Sequence, residues 1–122
     1  MAMIRIDKMN ETKVALSDIG MPSFFAVSRA FGRGQGKYDA KVMEGVKEGK
    51  PEAISLLGPE PPLRPHRIIN LVVKESKVKD AVNAIIKANC TNSHGDGKIF
   101  VMPMTEAITV RTGDKSDMAL DQ

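Results

Sequence analysis

The chain has no tryptophan, one tyrosine and four phenylalanines, so aromatics make up only 4% of it. A core must therefore be assembled from Val, Ile, Leu, Ala and some of the eight methionines, side chains that fill space without large rings. Cysteine is almost absent. Cys90 stands alone, which excludes an intramolecular disulfide and suits a reducing compartment; a half-buried thiol near a helix end is expected. No apolar run approaches the ~20 residues of a membrane span. The opening Met1-Ala-Met-Ile-Arg-Ile lacks the basic stretch and apolar run of a secretory leader, so a cytoplasmic protein is expected. An excess of one charge is lacking too. The 18 basic and 15 acidic residues leave a formal +3, with no Lys/Arg run interleaved with aromatics, so nucleic acid is not the expected partner. A slight cationic surplus suits an anionic small ligand. His66 and His94 are the only histidines. Neither stands with Cys90 or the acids in a zinc or nucleophile–base pattern, so no enzyme is expected.

What is present reads as one domain over residues 1–122, since 42% hydrophobic and 27% charged residues form a globular balance. Residues 1–8 alternate as a strand. Asn10 is the expected N-cap of a helix ending at Gly20, with Val14, Ala15 and Ile19 on its apolar side. A second strand is expected over 23–31. The grammar then repeats. Residues 67–73 read as a β-branched strand, and Ser76 as the cap of a helix to about Ala88, whose Val78, Ala81, Val82, Ile85 and Ile86 share one face. Residues 98–102 close the half as a fourth strand before Pro103. Glu11-Thr-Lys-Val also matches Glu75-Ser-Lys-Val, in line with duplication. The expected fold is α+β, a ferredoxin-like double βαβ sandwich. Both helices would cover one sheet face, leaving the other to be covered by oligomerisation.

A long Gly- and Pro-rich connection joins the halves, about residues 33–66, and connections of that length carry function. Residues 42–57 within it read as a candidate helix with Pro51 at a tolerated first-turn position. A tail over about 104–122 holds a candidate strand at 107–111 and a loosely ordered end. Two glycine turns stand at strand ends, Phe31-Gly-Arg-Gly-Gln-Gly-Lys and Asn92-Ser-His-Gly-Asp-Gly-Lys. Such turns let backbone N–H groups approach a phosphate, yet neither fits the P-loop or dinucleotide fingerprint. Each alone reads as an ordinary tight turn. Two together, with Arg111 nearby in sequence, point to an anion site.

The run Gly95-Asp-Gly-Lys-Ile-Phe-Val, followed by Pro103, Glu106-Ala-Ile and Arg111-Thr-Gly-Asp, resembles the C-terminal signature of the PII signal-transduction family. Phe31-Gly-Arg-Gly is similar to that family's strand-to-loop junction, and the likeness spans nearly the whole chain. Gly20-Met-Pro-Ser-Phe-Phe, Met43-Glu-Gly-Val-Lys-Glu-Gly-Lys-Pro-Glu-Ala-Ile and Pro65-His-Arg-Ile-Ile resemble the nitrogen-fixation branch. The resemblance implies a homotrimer, or a hetero-oligomer with a sister subunit, with ATP or ADP in clefts between subunits. It also implies 2-oxoglutarate, taken up with Mg-ATP at the base of the long connection (the T-loop), and nitrogenase as target. The implied nucleotide site is Gly32, Arg33, Gly95, Asp96, Gly97, Lys98, Thr109 and Arg111. Gln35, His66 and Arg67 are the implied contacts for 2-oxoglutarate and Mg2+.

The chain departs from the family pattern at telling places. Thr109 stands where the family has an arginine, removing a phosphate-facing cation. His66 stands where the family has the loop-end lysine that meets the oxo-acid, with Arg67 beside it as a replacement. Tyr38, the only tyrosine, lies near the loop base, so uridylylation at the family's mid-loop site is not expected. A sensor of the same kind acting on a transporter or biosynthetic enzyme is the rival reading.

Overall fold

The computed structural model describes residues 1–33, 44, 47–51 and 63–121. Its regular elements are β1 (Ala2–Ile4), α1 (Met9–Asp18), β2 (Phe25–Gly32), β3 (Arg64–Asn70), α2 (Val78–Asn89) and β4 (Gly97–Ile99). The sheet runs β2-β3-β1-β4 with every neighbouring pair antiparallel. This is the ferredoxin-like double βαβ order, with both halves contributing to one sheet. Residues of the candidate helix at 42–57 lie mostly outside the described set, as does Gln35.

The core lies between the sheet and the helices. Ala2 and Ile4 from β1 and Ile69 from β3 meet Met9 and Leu16 of α1 and Ile85 of α2, with Phe24, Leu71 and Ile99 packed around them. Each fully buried Leu or Ile contributes roughly 1.5–3 kcal/mol. The buried face of α1 is Met9, Thr12 and Leu16, not Val14, Ala15 and Ile19; Val14 is 60% exposed. Thr12 earns its place by hydrogen bonding. Its hydroxyl donates to the Lys8 carbonyl at 2.8 Å and accepts from Asn89 Nδ2 at 2.9 Å, so a polar pair joins the helices inside the core. Apolar periodicity alone passes over such a position.

The two halves repeat at the helix entrances, though not where the sequence match suggests. Arg5 (φ −62°, ψ 143°) leads into a 3₁₀ turn, Ile6–Lys8, and then α1. Lys74 (φ −62°, ψ 144°) leads into Glu75–Lys77 and then α2. Glu11 thus lies within α1 whereas Glu75 lies before α2, so the matching tetrapeptides are out of register. The N-caps are Lys8 and Lys77, without side-chain capping bonds, rather than Asn10 and Ser76. A 3₁₀ turn that runs into the helix takes over the work of a capping side chain. At the far end of α1, Gly20 at φ +79° and the Met21 N–H bond to Leu16 close the helix as expected.

β3 begins at Arg64, three residues earlier than expected, and ends at Asn70. Pro65 opposes Phe31 of β2, while β1 pairs only with residues 67–69 of β3. On its β1 side the strand is therefore an edge at Pro65, the kind of position at which sheets accept proline. The loop closes at residue 63, so His66 and Arg67 are strand residues. In the tail the expected strand at 107–111 is reduced to a single bridge, while the end is more ordered than expected. Ile108 bridges Lys115, a 3₁₀ turn spans Ser116–Ala119, and Ser23 Oγ donates to Asp121 Oδ2 at 2.7 Å. Cys90 is exposed at the end of α2, not half-buried. Among the described residues no helix is long and apolar enough to cross a membrane.

Candidate functional site

Strand alternation sorts the side chains of β3. Ile69 is buried against the helices, so Arg67 lies on that helix face. Arg64, His66, Ile68 and Asn70 lie on the open face. Register extends that face across the sheet, because Met3 opposes both Ile68 and Lys98, and Val27 opposes Ile68. Phe25 and Val27, 72% and 47% exposed, and Phe100, 41% exposed, make the middle of this face apolar. Its loop-side end is cationic.

The turn from α2 into β4 builds that end. Asn92, Gly95 and Gly97 all take positive φ (60°, 97° and 120°), conformations that glycine and asparagine adopt most readily. Asp96 holds the turn together. Its carboxylate accepts from the Thr91 hydroxyl, from the Thr91 N–H at 2.7 Å and from the Ser93 N–H at 3.4 Å. Arg5 adds an ion pair through Nε at 3.3 Å and donates from Nη2 to the His94 carbonyl at 2.9 Å. Burial pushes the Asp96 carboxyl up, but the bonds from Thr91, Ser93 and Arg5 outweigh it and hold the group below its ordinary value. Asp96 therefore shapes the turn and leaves little acceptor capacity for anything else. Gly97 is required sterically as well, since a Cβ there would overlap the Met3 carbonyl oxygen and stand 3.0 Å from its carbon.

His66 ties the start of β3 to this turn. Its Nδ1 lies 3.2 Å from the Arg64 carbonyl and its Nε2 3.1 Å from the Gly95 carbonyl. Both partners are acceptors, and an imidazole donates to both only when doubly protonated. Beside it, Nε and Nη2 of Arg64 are shut off from solvent without a hydrogen-bond partner among the described residues. Arg67, expected from the sequence to stand in for the loop-end lysine, lies on the helix face instead, with an unpartnered Nε of its own.

The fold thus brings together Gly95, Asp96, Gly97, Lys98 and His66, and sets Gly32 opposite Arg64. Arg33 follows directly after Gly32 and is exposed. Thr109 and Arg111 belong to a separate hairpin, in which the Thr109 N–H donates to the Asp114 carbonyl at 2.8 Å and the Gly113 N–H to the Thr109 carbonyl at 2.7 Å. No described hydrogen bond or ion pair joins that hairpin to the glycine turn within the chain. Sequence reasoning missed Arg5 and Arg64. Arg64 stands two residues before His66, the spacing of one strand face, and a strand drawn from residue 64 would have exposed it.

Comparisons with known proteins agree with this architecture. Residues 1–114 match the family described as "Nitrogen regulatory protein P-II". The chain is 39% identical over 120 residues to "Nitrogen fixation nifHD region GlnB-like protein 2" of Methanothermobacter marburgensis, covering 98% of this chain and 96% of that one. It is 32% identical over 113 residues to "GlnB-like protein 1" from the corresponding region of Methanothermococcus thermolithotrophicus, covering 93% and 92%. Among solved structures, Arabidopsis thaliana PII bound to citrate superposes with a TM-score of 0.71 at 24% identity, covering 98% of this chain and 84% of that one.

Proposed function

The chain belongs to the nitrogen regulatory protein P-II family, and from that premise we propose that it binds ATP and ADP at the cationic end of its open sheet face and relays nitrogen status to nitrogenase. The observation that carries this reading is the glycine turn, with its positive-φ backbone stapled by Asp96 and Lys98 following on the open face. Backbone N–H groups held in such a turn, with a lysine alongside, suit phosphate oxygens. Gly95, Gly97 and Lys98 make the phosphate cradle. Asp96 acts through the turn's shape. Gly32 and Arg33 approach from the end of β2.

The other half of the site comes from a neighbouring subunit. The apolar middle of the open face, with Phe25, Val27 and Phe100 uncovered in the single chain, is the assembly surface of a trimer. In that assembly Thr109 and Arg111 of one subunit complete the cleft of the next. The presence of type 1 and type 2 relatives supports a hetero-oligomer with a sister subunit as an alternative composition.

Mg2+ arrives on the nucleotide phosphates. 2-Oxoglutarate binds beside Mg-ATP at the loop base, where Gln35 falls outside the described residues. Ligands bias the residue 33–63 connection by binding one of its arrangements better than another; a tenfold preference is worth about 1.4 kcal/mol. The role is regulatory, without catalysis.

Calorimetric titration of ATP and ADP, with and without Mg2+ and 2-oxoglutarate, tests the binding reading. Oxo-acid uptake that requires Mg-ATP is expected, and absence of any adenine-nucleotide binding would sink it. For the target, retention of nitrogenase components on the immobilised protein under ADP and their release by Mg-ATP with 2-oxoglutarate is expected. Recovery of a transporter or biosynthetic enzyme instead, with no nitrogenase component, would assign the relay elsewhere.

A further inference from the structure

The chain beyond β4 is held to the rest of the fold at its far end. Residues 101–106 are exposed, and the hairpin that follows is closed within itself. Ile108 bridges Lys115, the Ser116 N–H donates to the Ala107 carbonyl at 2.9 Å, and the Thr109 N–H donates to the Asp114 carbonyl at 2.8 Å. None of these bonds reaches the sheet or the helices. Residues 116–121 make that link. Ser116 takes φ +56°, a left-handed conformation uncommon for a residue with a side chain, and there the chain enters the 3₁₀ turn Ser116–Ala119. Ala119 and Leu120 are then half-buried, and Asp121 Oδ2 accepts from Ser23 Oγ at 2.7 Å. Among the described residues this bond ties the chain beyond residue 100 back to the body of the fold. Ser23 is a firm anchor, because it stands between Met21, 1% exposed, and Phe24, which packs against the core.

We propose that residues 116–121 form a strap, hinged at Ser116 and latched by Ser23 to Asp121, that positions Thr109 and Arg111 for the nucleotide. A hairpin tethered only through exposed chain samples many placements, and selecting one of them at the moment of binding weakens the affinity. The strap ties the base of the hairpin to the entrance of β2 and so arranges in advance the side chains that the hairpin presents to the neighbouring subunit's cleft. Ser23 and Asp121 do not touch the nucleotide; both act through the hairpin. A single exposed hydroxyl–carboxylate bond opens readily, so the strap restrains the hairpin without locking it. This inference rests on the nucleotide-binding reading above and adds the element that sets Arg111 in place.

The test compares the full-length wild type with Ser23→Ala and Asp121→Ala, which remove the latch, and with Ser116→Val, whose branched side chain opposes a positive φ. Ser23→Thr keeps the hydroxyl and serves as the rescue. Amide hydrogen exchange at Thr109 and Ser116 reads the opening of the hairpin, calorimetry reads ATP affinity, and light scattering with circular dichroism reads assembly and fold. Removing one charge-assisted hydrogen bond should speed exchange at both amides about threefold to tenfold and weaken ATP binding by about the same factor. Ser116→Val should do likewise with the latch residues intact, Ser23→Thr should match wild type, and assembly should be unaltered throughout. Unchanged exchange in the three disruptive variants overturns the strap. Faster exchange with unaltered ATP affinity overturns the positioning role. So does a loss of affinity that comes with smaller assemblies, which would make the tail an assembly contact. A wild-type protein that binds no ATP overturns the nucleotide reading and the positioning role with it, while the exchange rates still decide whether the strap holds the hairpin.

Discussion

Replacing Gly97 with alanine asks the most of the fold for the smallest chemical change. At φ +120° the backbone occupies a region that costs a residue bearing a side chain about 1–3 kcal/mol. The added methyl would also overlap the Met3 carbonyl oxygen and crowd the Met3 carbonyl carbon at 3.0 Å and Ile4 Cα at 3.3 Å. These are backbone atoms of the neighbouring strand, so relief requires β1 and β4 to part, and overpacking of that kind costs about 1–3 kcal/mol more. The total is about 2–6 kcal/mol, a large share of the ~5–15 kcal/mol that holds a domain folded. For a domain of this size each kcal/mol lowers Tm by about 3–6 °C, so a fall of about 6–36 °C is expected. Gly113→Ala is the control. It shares a positive φ, +75°, but meets nothing within 4 Å, so only the conformational cost of about 1–2 kcal/mol applies. Thermal unfolding followed by circular dichroism, at one fixed concentration because self-association shifts Tm, compares the two. A Gly97→Ala variant that melts no lower than Gly113→Ala would refute the steric reasoning.

Other consequences are as direct. Because Asp96 is held below its ordinary value by Thr91, Ser93 and Arg5 against the push of burial, its contribution is full above the unfolded carboxylate value of about 3.9 and is lost as pH falls through its lower folded value. Denaturation midpoints measured from pH 6 to 3 should therefore decline more steeply in wild type than in Asp96→Asn. Thr12→Val removes the hydroxyl that joins Asn89 to α1 and should cost about 1–3 kcal/mol in urea unfolding, more than any isosteric change on the exposed side of α1. Val27→Glu places a charge in the apolar middle of the open face; light scattering should show smaller assemblies with an unaltered circular dichroism spectrum, and an intact oligomer would remove that face as the assembly surface.

The double βαβ order could be read from the sequence because β-branched runs and apolar helical spacing alternate plainly. The core of α2 followed the same signal in part: Ala81 and Ile85 are buried as expected, but Ile86 is 50% exposed and Asn89 is buried in its place. α1 was less legible, since its inward face uses Thr12, whose burial rests on a partner 77 positions away along the chain. Strand ends failed for a similar reason. Pro65 reads as part of the connection until the pairing shows that it opposes Phe31 while β1 does not reach it. In the candidate site, the positive-φ glycines of the turn could be read from turn chemistry, but the contacts around them could not. That Asp96 is a staple, that His66 faces two carbonyls and that Arg64, not Arg67, shares its face all depend on strand parity and pairing. No local motif encodes these.

β2 and β3 remain ladder partners up to Gly32 and Arg64, so the connection between them leaves and re-enters the fold at adjacent points. In polymer terms the sheet has already brought the chain ends together. Doubling the length of such a connection then adds only about 0.6 kcal/mol of closure cost. Evolution is therefore free to lengthen, shorten or rewrite this segment while Arg64, His66 and the glycine turn stay in place.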